Sequence, residues 1–79
     1  MLQVDIVSRK GEVWSGESKS VVFPSLEGDV GILPGHTPMM ALLREGNVSV
    51  KAVDGEQKFH VTDGFVTVDQ DRVYVVSEL

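Results

Sequence analysis

The residues that could do chemistry are few, and they are scattered through the chain. His36 and His60 are the only histidines and there is no cysteine, so zinc-type sites, which need three or four ligands at readable spacing, are not suggested. The serines lack a Gly-x-Ser-x-Gly elbow; Ser15 before Gly16 and Ser25 after Pro24 read as turn chemistry. Asp69 and Asp71 flank Gln70 in a pattern that suits a solvated hairpin tip. They lack the glycine and bidentate glutamate that would complete a calcium loop. Gly28, Gly31 and Gly35 invite comparison with a phosphate loop. No Gly-Lys-Ser/Thr follows them, and no helix begins after Gly35 to aim its N-terminus at an anion. The residues therefore point away from catalysis, metal ions and cofactors.

The segment from Glu27 to Pro38, EGDVGILPGHTP, places three glycines and two prolines around the apolar pair Ile32-Leu33. Gly opens positive φ and Pro fixes φ, so this composition sets a defined path held against a core. An ordered loop of this kind can simply join strands, or it can be presented to a partner. Met39 and Met40 follow directly, and in a strand one of the two must face away from the core.

The elements around this loop read as strands. Leu2, Val4 and Ile6 alternate with Gln3 and Asp5, and Ser8–Gly11 supplies a turn. Val13-Trp14 begins a short strand that Ser15-Gly16 punctuates, and Lys19–Phe23 is a β-branched run ended by Pro24. Met39–Leu43 has helical composition, but it is confined between Pro38 and Gly46 and reads as a strand. Val48, Val50 and Ala52 alternate up to Asp54-Gly55, which reads as a type I′ hairpin turn. Phe59 and Val61 return, Asp63-Gly64 turns, Phe65–Val68 follows, and Val73–Val76 closes the series. No segment repeats at 3.6 residues. The expectation is one all-β domain over residues 1–79, a flattened antiparallel sandwich or barrel with large inward side chains at Ile6, Trp14, Phe23, Phe59 and Phe65.

The chain has 79 residues and a net charge of −5. Its basic residues are scattered, which disfavours nucleic acid and anionic membrane surfaces. No apolar run reaches the ~20 residues of a membrane span, and the N-terminus lacks the basic start of a signal peptide.

Three motifs carry a resemblance: VWSGE at Val13–Glu17, SLEGDVGILPGHTP at Ser25–Pro38, and VTDGFVTVDQDRVYVVSE at Val61–Glu78. In this order and spacing they resemble the epsilon subunit of the F-type ATP synthase, called delta in mitochondria. The resemblance implies a flattened β-sandwich of about ten strands. It also implies a non-catalytic rotor subunit of the central stalk, without cofactor, that docks the gamma subunit onto the ring of c subunits and couples ion-driven rotation to ATP synthesis. Its place would be peripheral, on the cytoplasmic face of the bacterial plasma membrane, held to the membrane only through the c ring. Glu27, Gly28 and Asp29 match the acidic loop that meets the c ring. His36, Thr37, Pro38, Met39, Met40 and Leu42 match the gamma-facing segment. Most bacterial members continue into a C-terminal helical hairpin that can restrain ATP hydrolysis and in some binds ATP. Nothing of that pair lies within these 79 residues, so those functions are not among the expectations. The alternative is a small β-sandwich interaction or ligand-binding module outside the ATP synthase.

Overall fold

Leu2, Val4 and Ile6 take alternate positions of β1 (Leu2–Ser8) and all three are fully buried. The computed structural model describes residues 1–78, and every regular element in it is a strand. After β1 come β2 (Gly11–Ser18), β3 (Ser20–Ser25), β4 (Gly28–Ile32), β5 (Met39–Leu43), β6 (Gly46–Ala52), β7 (Gly55–Val61), β8 (Gly64–Asp69) and β9 (Arg72–Ser77). These are nine strands among the described residues, where the resemblance implied about ten.

The strands form one curled sheet in the order β2-β1-β9-β8-β5-β3-β6-β7, with β4 on the other side of β3. β3 is where the sheet turns over on itself. Its Ser20–Val22 half pairs with β6, while Ser25 meets Leu43 of β5 at a single position. Two layers result, and one apolar cluster fills the space between them. Ile6, Val66 and Val75 come from one layer, and Phe23, Val48 and Val50 from the other. All pairings are antiparallel except β1 with β9, where Val4 faces Val73 and Ile6 faces Val75. A parallel pair needs a long crossover, and here the crossover is the remainder of the sandwich.

Several turns differ from the sequence reading, for identifiable reasons. Ser15-Gly16 lies inside β2; Ser15 Oγ donates to Asp5 Oδ1 across the pair at 2.6 Å. Gly16 is there because the Trp14 ring lies over it. A Cβ at that position would come 2.9 Å from the ring. Pro24 lies within β3 instead of ending it. Its carbonyl accepts from Arg44 N–H, so its missing N–H faces the side on which β3 changes partner from β6 to β5.

The Asp54-Gly55 turn is also displaced. The loop is Val53-Asp54, and Gly55 opens β7 opposite Ala52 with φ 137°. The same arrangement recurs at Arg9-Lys10-Gly11 and Leu26-Glu27-Gly28. In those two hairpins a serine ties the turn. Ser25 Oγ accepts from Glu27 N–H at 3.1 Å and donates to the Gly28 carbonyl at 2.6 Å, and Ser8 bonds Lys10 and Gly11 in the same way. The paired positive φ values of a type I′ turn occur at Gln70-Asp71. Ser25 is buried and its hydroxyl makes both of these bonds, so Ser25→Ala takes two hydrogen bonds from the turn. It is expected to lower unfolding stability by about 1–2 kcal/mol in a urea titration, and Ser8→Ala by less than about 1 kcal/mol.

Candidate docking surface

The loop between β4 and β5 is fixed at three points. Pro34-Gly35 forms a turn in which His36 N–H donates to the Leu33 carbonyl at 3.2 Å and Gly35 has φ 86°. Gly35 N–H donates to Asp71 Oδ1 at 2.7 Å, which ties the loop to the β8–β9 hairpin. Asp71 holds that place because its neighbour Gln70 and it both adopt left-handed φ, a conformation Asp tolerates. His36 Nδ1 lies 2.7 Å from the Thr37 carbonyl. A carbonyl only accepts, so the proton is on Nδ1 and the ring is held along the loop. Asp71→Ala removes a charge-assisted bond from Gly35. It should speed exchange of the Gly35 amide by about ten-fold or more, with a loss of about 1–2 kcal/mol in global stability. Unchanged exchange would show that the loop stands without this tie.

This anchored loop delivers β5. Met39 and Ala41 face inward and pack on the core, whereas Met40 and Leu42 face solvent at 67% and 54% exposure. The two methionines thus split, one to each face. Across the pairing, Leu42 lies opposite Phe65, Phe65 opposite Val76, and Val76 opposite Val7. The adjacent row runs Met40, Thr67, Tyr74, Asp5. The outer face of this layer therefore carries an apolar stripe with Tyr74 and Met40 beside it.

Phe65 is a correction. Read from the sequence as inward, it is 38% exposed on this outer face, and Trp14 and Phe59 are half-buried, their rings in tilted contact at a centroid distance of 5.7 Å. Thr67 was the available signal. It shares parity with Phe65, and Val66 and Val68 take the core positions. Tyr74 was missed because Val73–Val76 reads as a continuous apolar run with no marked polar side.

The acidic residues lie at one end of this surface. Glu27 is in the β3–β4 turn, while Gly28 and Asp29 open β4. Asp29 pairs with Arg44 Nη2 at 3.5 Å, an exposed contact of small energetic weight, and Arg44 Nε donates to the Ser25 carbonyl at 3.1 Å. Leu26 N–H donates to the Leu42 carbonyl at 3.2 Å, so the acidic turn and the end of the apolar stripe adjoin. Between them is a groove of about 320 Å³ lined by Leu26, Glu27, Val30 and Met39–Leu42. His36, Thr37 and Pro38 precede it. Glu27, Met39, Met40 and Leu42 therefore line one groove, while His36, Thr37 and Pro38 lie in the loop whose Gly35 is tied to the β8–β9 hairpin. Among the described residues, no group of three or more His, Asp or Glu side chains is placed to hold a metal ion, and no helix is long and apolar enough to cross a membrane.

Fold and surface together define a small two-layer β module with an exposed apolar face bordered by carboxylates, suited to binding another protein. The profile of the ATP synthase delta/epsilon chain β-sandwich domain matches residues 1–78. The chain belongs to this family. It is 43% identical over 77 residues to the ATP synthase epsilon chain of Micrococcus luteus, covering 96% of this chain and 85% of that one. It is 44% identical to the epsilon chain of Bordetella avium, covering 98% of this chain but only 55% of that longer protein. The fold is similar to a chain in the Euglena gracilis mitochondrial ATP synthase, in an assembly of OSCP, F1 and c-ring, with TM-score 0.88 and 19% identity over 96% of this chain and 49% of that one. It is also similar to a chain in the central stalk and c-ring of the Tetrahymena thermophila enzyme, with TM-score 0.79 and 15% identity over 99% of this chain and 63% of that one.

Proposed function

We propose that this chain is a non-catalytic subunit of the central stalk of a bacterial F-type ATP synthase, docking the gamma subunit onto the c ring so that ion-driven rotation is coupled to ATP synthesis. The observation that carries this reading is the apolar face of Met40, Leu42, Phe65 and Tyr74, continuous with an acidic turn at one end. A monomer gains nothing by holding Met40 and Leu42 in water beside Phe65, whereas a partner surface gains their burial. Family membership and the central-stalk setting of a structural neighbour support the same reading.

In this reading His36–Leu42 and the outer face meet gamma. Met40 and Leu42 supply apolar anchors, and His36, Thr37 and Pro38 fix the approach. Glu27, Gly28 and Asp29 meet the polar loops of the c ring, where carboxylates orient the encounter more than they tighten it. The chain would then sit peripherally on the cytoplasmic face of the membrane, reaching it only through the c ring. The alternative of an unrelated interaction or ligand-binding module is less favoured, because relatives bearing the epsilon-chain name align over nearly the whole chain.

Calorimetric titration with the gamma subunit of the same organism tests this reading. Saturable one-to-one binding is expected. The double variant Met40→Ser/Leu42→Ser should weaken it by about ten-fold or more while leaving the unfolding midpoint nearly unchanged, since neither side chain contributes to the core. Wild-type affinity in that variant would remove the apolar face from the interface.

A further inference from the structure

We infer that the partner of this surface does not only lie against it but adds a β-strand to the open edge of β5, entering the groove at the seam of the sandwich. The inference rests on the docking reading above and specifies how that docking is made. β5 pairs with β8 along its whole length, from Met39 opposite Val68 to Leu43 opposite Gly64. On its other edge it meets β3 only at Leu43. The Leu42 carbonyl points to that second edge, because it accepts from Leu26 N–H. Backbone groups of a strand alternate in direction, so Met40, two residues away, directs both its N–H and its C=O to the same edge. There the β3 chain has already turned away at Leu26-Glu27, and among the described residues no strand pairs with β5 beside Met40.

Two of the other edges carry charges along their length: β7 has Glu56, Lys58 and His60, and β2 has Glu12 and Glu17 with a register shift opposite Ile6/Val7. β4, which pairs with β3 alone, is short and carries Asp29 and two glycines. β5 reads MMALL and has no charge at all. The groove along it is apolar on both sides of the strand: Val30, Met39 and Ala41 pack on the core but remain half-buried, and Leu26, Met40 and Leu42 are exposed. An extended segment with alternating apolar side chains satisfies the Met40 backbone and covers those residues together.

Charge selects the occupant further. Glu27 lies at the lip of the groove, and the adjoining cation, Arg44, is engaged by Asp29 and the Ser25 carbonyl. The chain's net charge is −5. The occupant is therefore an apolar strand flanked by Lys or Arg, not a second copy, whose pairing would bring two acidic chains together.

Amide hydrogen exchange on the full chain, alone and with the gamma subunit, tests this. In the free chain Met39, Ala41 and Leu43 should be protected by β8 while Met40 exchanges fast. In the complex Met40 should slow by about a hundred-fold or more. Met40→Pro removes that N–H without removing a bond to β8, so the variant should fold; Met40→Ala gives up the same apolar side chain but keeps the N–H, so Met40→Pro should bind more weakly than Met40→Ala by about ten-fold or more. A one-to-one complex in which Met40 exchange is unchanged, or in which Met40→Pro binds as well as Met40→Ala, overturns strand addition and leaves docking through side chains intact. Absence of any complex overturns the docking reading and this inference together. Protection of Met40 that appears on raising the concentration of the chain alone assigns the edge to a second copy and overturns the commitment to a basic partner.

Discussion

Phe23→Ala is expected to bring this chain close to unfolding at room temperature. Phe23 is fully buried and heads the large side chains of the core, on the strand around which the two layers turn. Truncating a buried Phe costs about 3–5 kcal/mol, because both its transfer from water and its contacts with the cavity walls are lost. A chain of this length holds about 4–12 kcal/mol in total, so the loss removes a large share. In a domain of this size each kcal/mol shifts the midpoint by about 4–8 °C, so a melt followed by circular dichroism should fall by at least about 12 °C. Val22, the preceding residue, points the other way and is exposed. Val22→Ala should cost less than about 1 kcal/mol. Equal losses at the two positions would contradict the parity on which the two-layer arrangement depends.

Gly64→Ala is the second large effect, and it comes from backbone proximity. Gly64 opens β8 opposite Ser77 of β9. A Cβ there would lie 1.8 Å from the Val76 carbonyl oxygen and 2.8 Å from its carbon. Those are main-chain atoms of the paired strand and cannot swing aside as a side chain can, so the end of the β8–β9 ladder must separate. The expected cost is about 2–4 kcal/mol, with amide exchange accelerated first at Val76 and Ser77. Gly31→Ala is the contrast. Its Cβ would make only ordinary contact, 3.8 Å from Val22 Cγ2, and it is not among the glycines with positive φ. There the loss of unfolded-state freedom should dominate and stabilise by about 0.4–1 kcal/mol. A Gly64→Ala chain that melts at the wild-type temperature would show that the two strands are not packed this closely.

Gly64 also shows where sequence reading stops. Asp63-Gly64 is a turn signal, and a turn does lie there, since Asp63 is a bend between β7 and β8. The reason that position excludes any other residue is a carbonyl twelve residues further along the chain, which only strand pairing brings close. Asp54-Gly55 shows the same limit at shorter range. The hairpin is where the sequence put it, but its loop is shifted by one residue, because Gly55 serves as the positive-φ residue after the turn. The paired left-handed residues of a type I′ turn went instead to Gln70-Asp71, a pair with no glycine to mark it.

The candidate surface divides along similar lines. The acidic turn, the GILPGH loop and the methionine pair could be picked out from residue type and order. Phe65 and Tyr74, which extend that surface across β8 and β9, could not be picked out as easily. Each sits in a run where apolar residues occupy both parities, and their direction depends on which face the neighbouring strand buries.

What the sequence by itself determined is the all-β class, the place of nearly every strand, and the family. Those follow from period-two patterning, from Gly and Pro punctuation, and from motifs whose order and spacing are local properties of the chain. The tertiary structure alone decided the parallel pairing of β1 with β9, the change of partner along β3, the outward turn of Phe65 and the open edge at Met40. Each of these depends on which strands lie side by side. Pairing is settled by the joint burial of side chains far apart in sequence, and no local pattern encodes it.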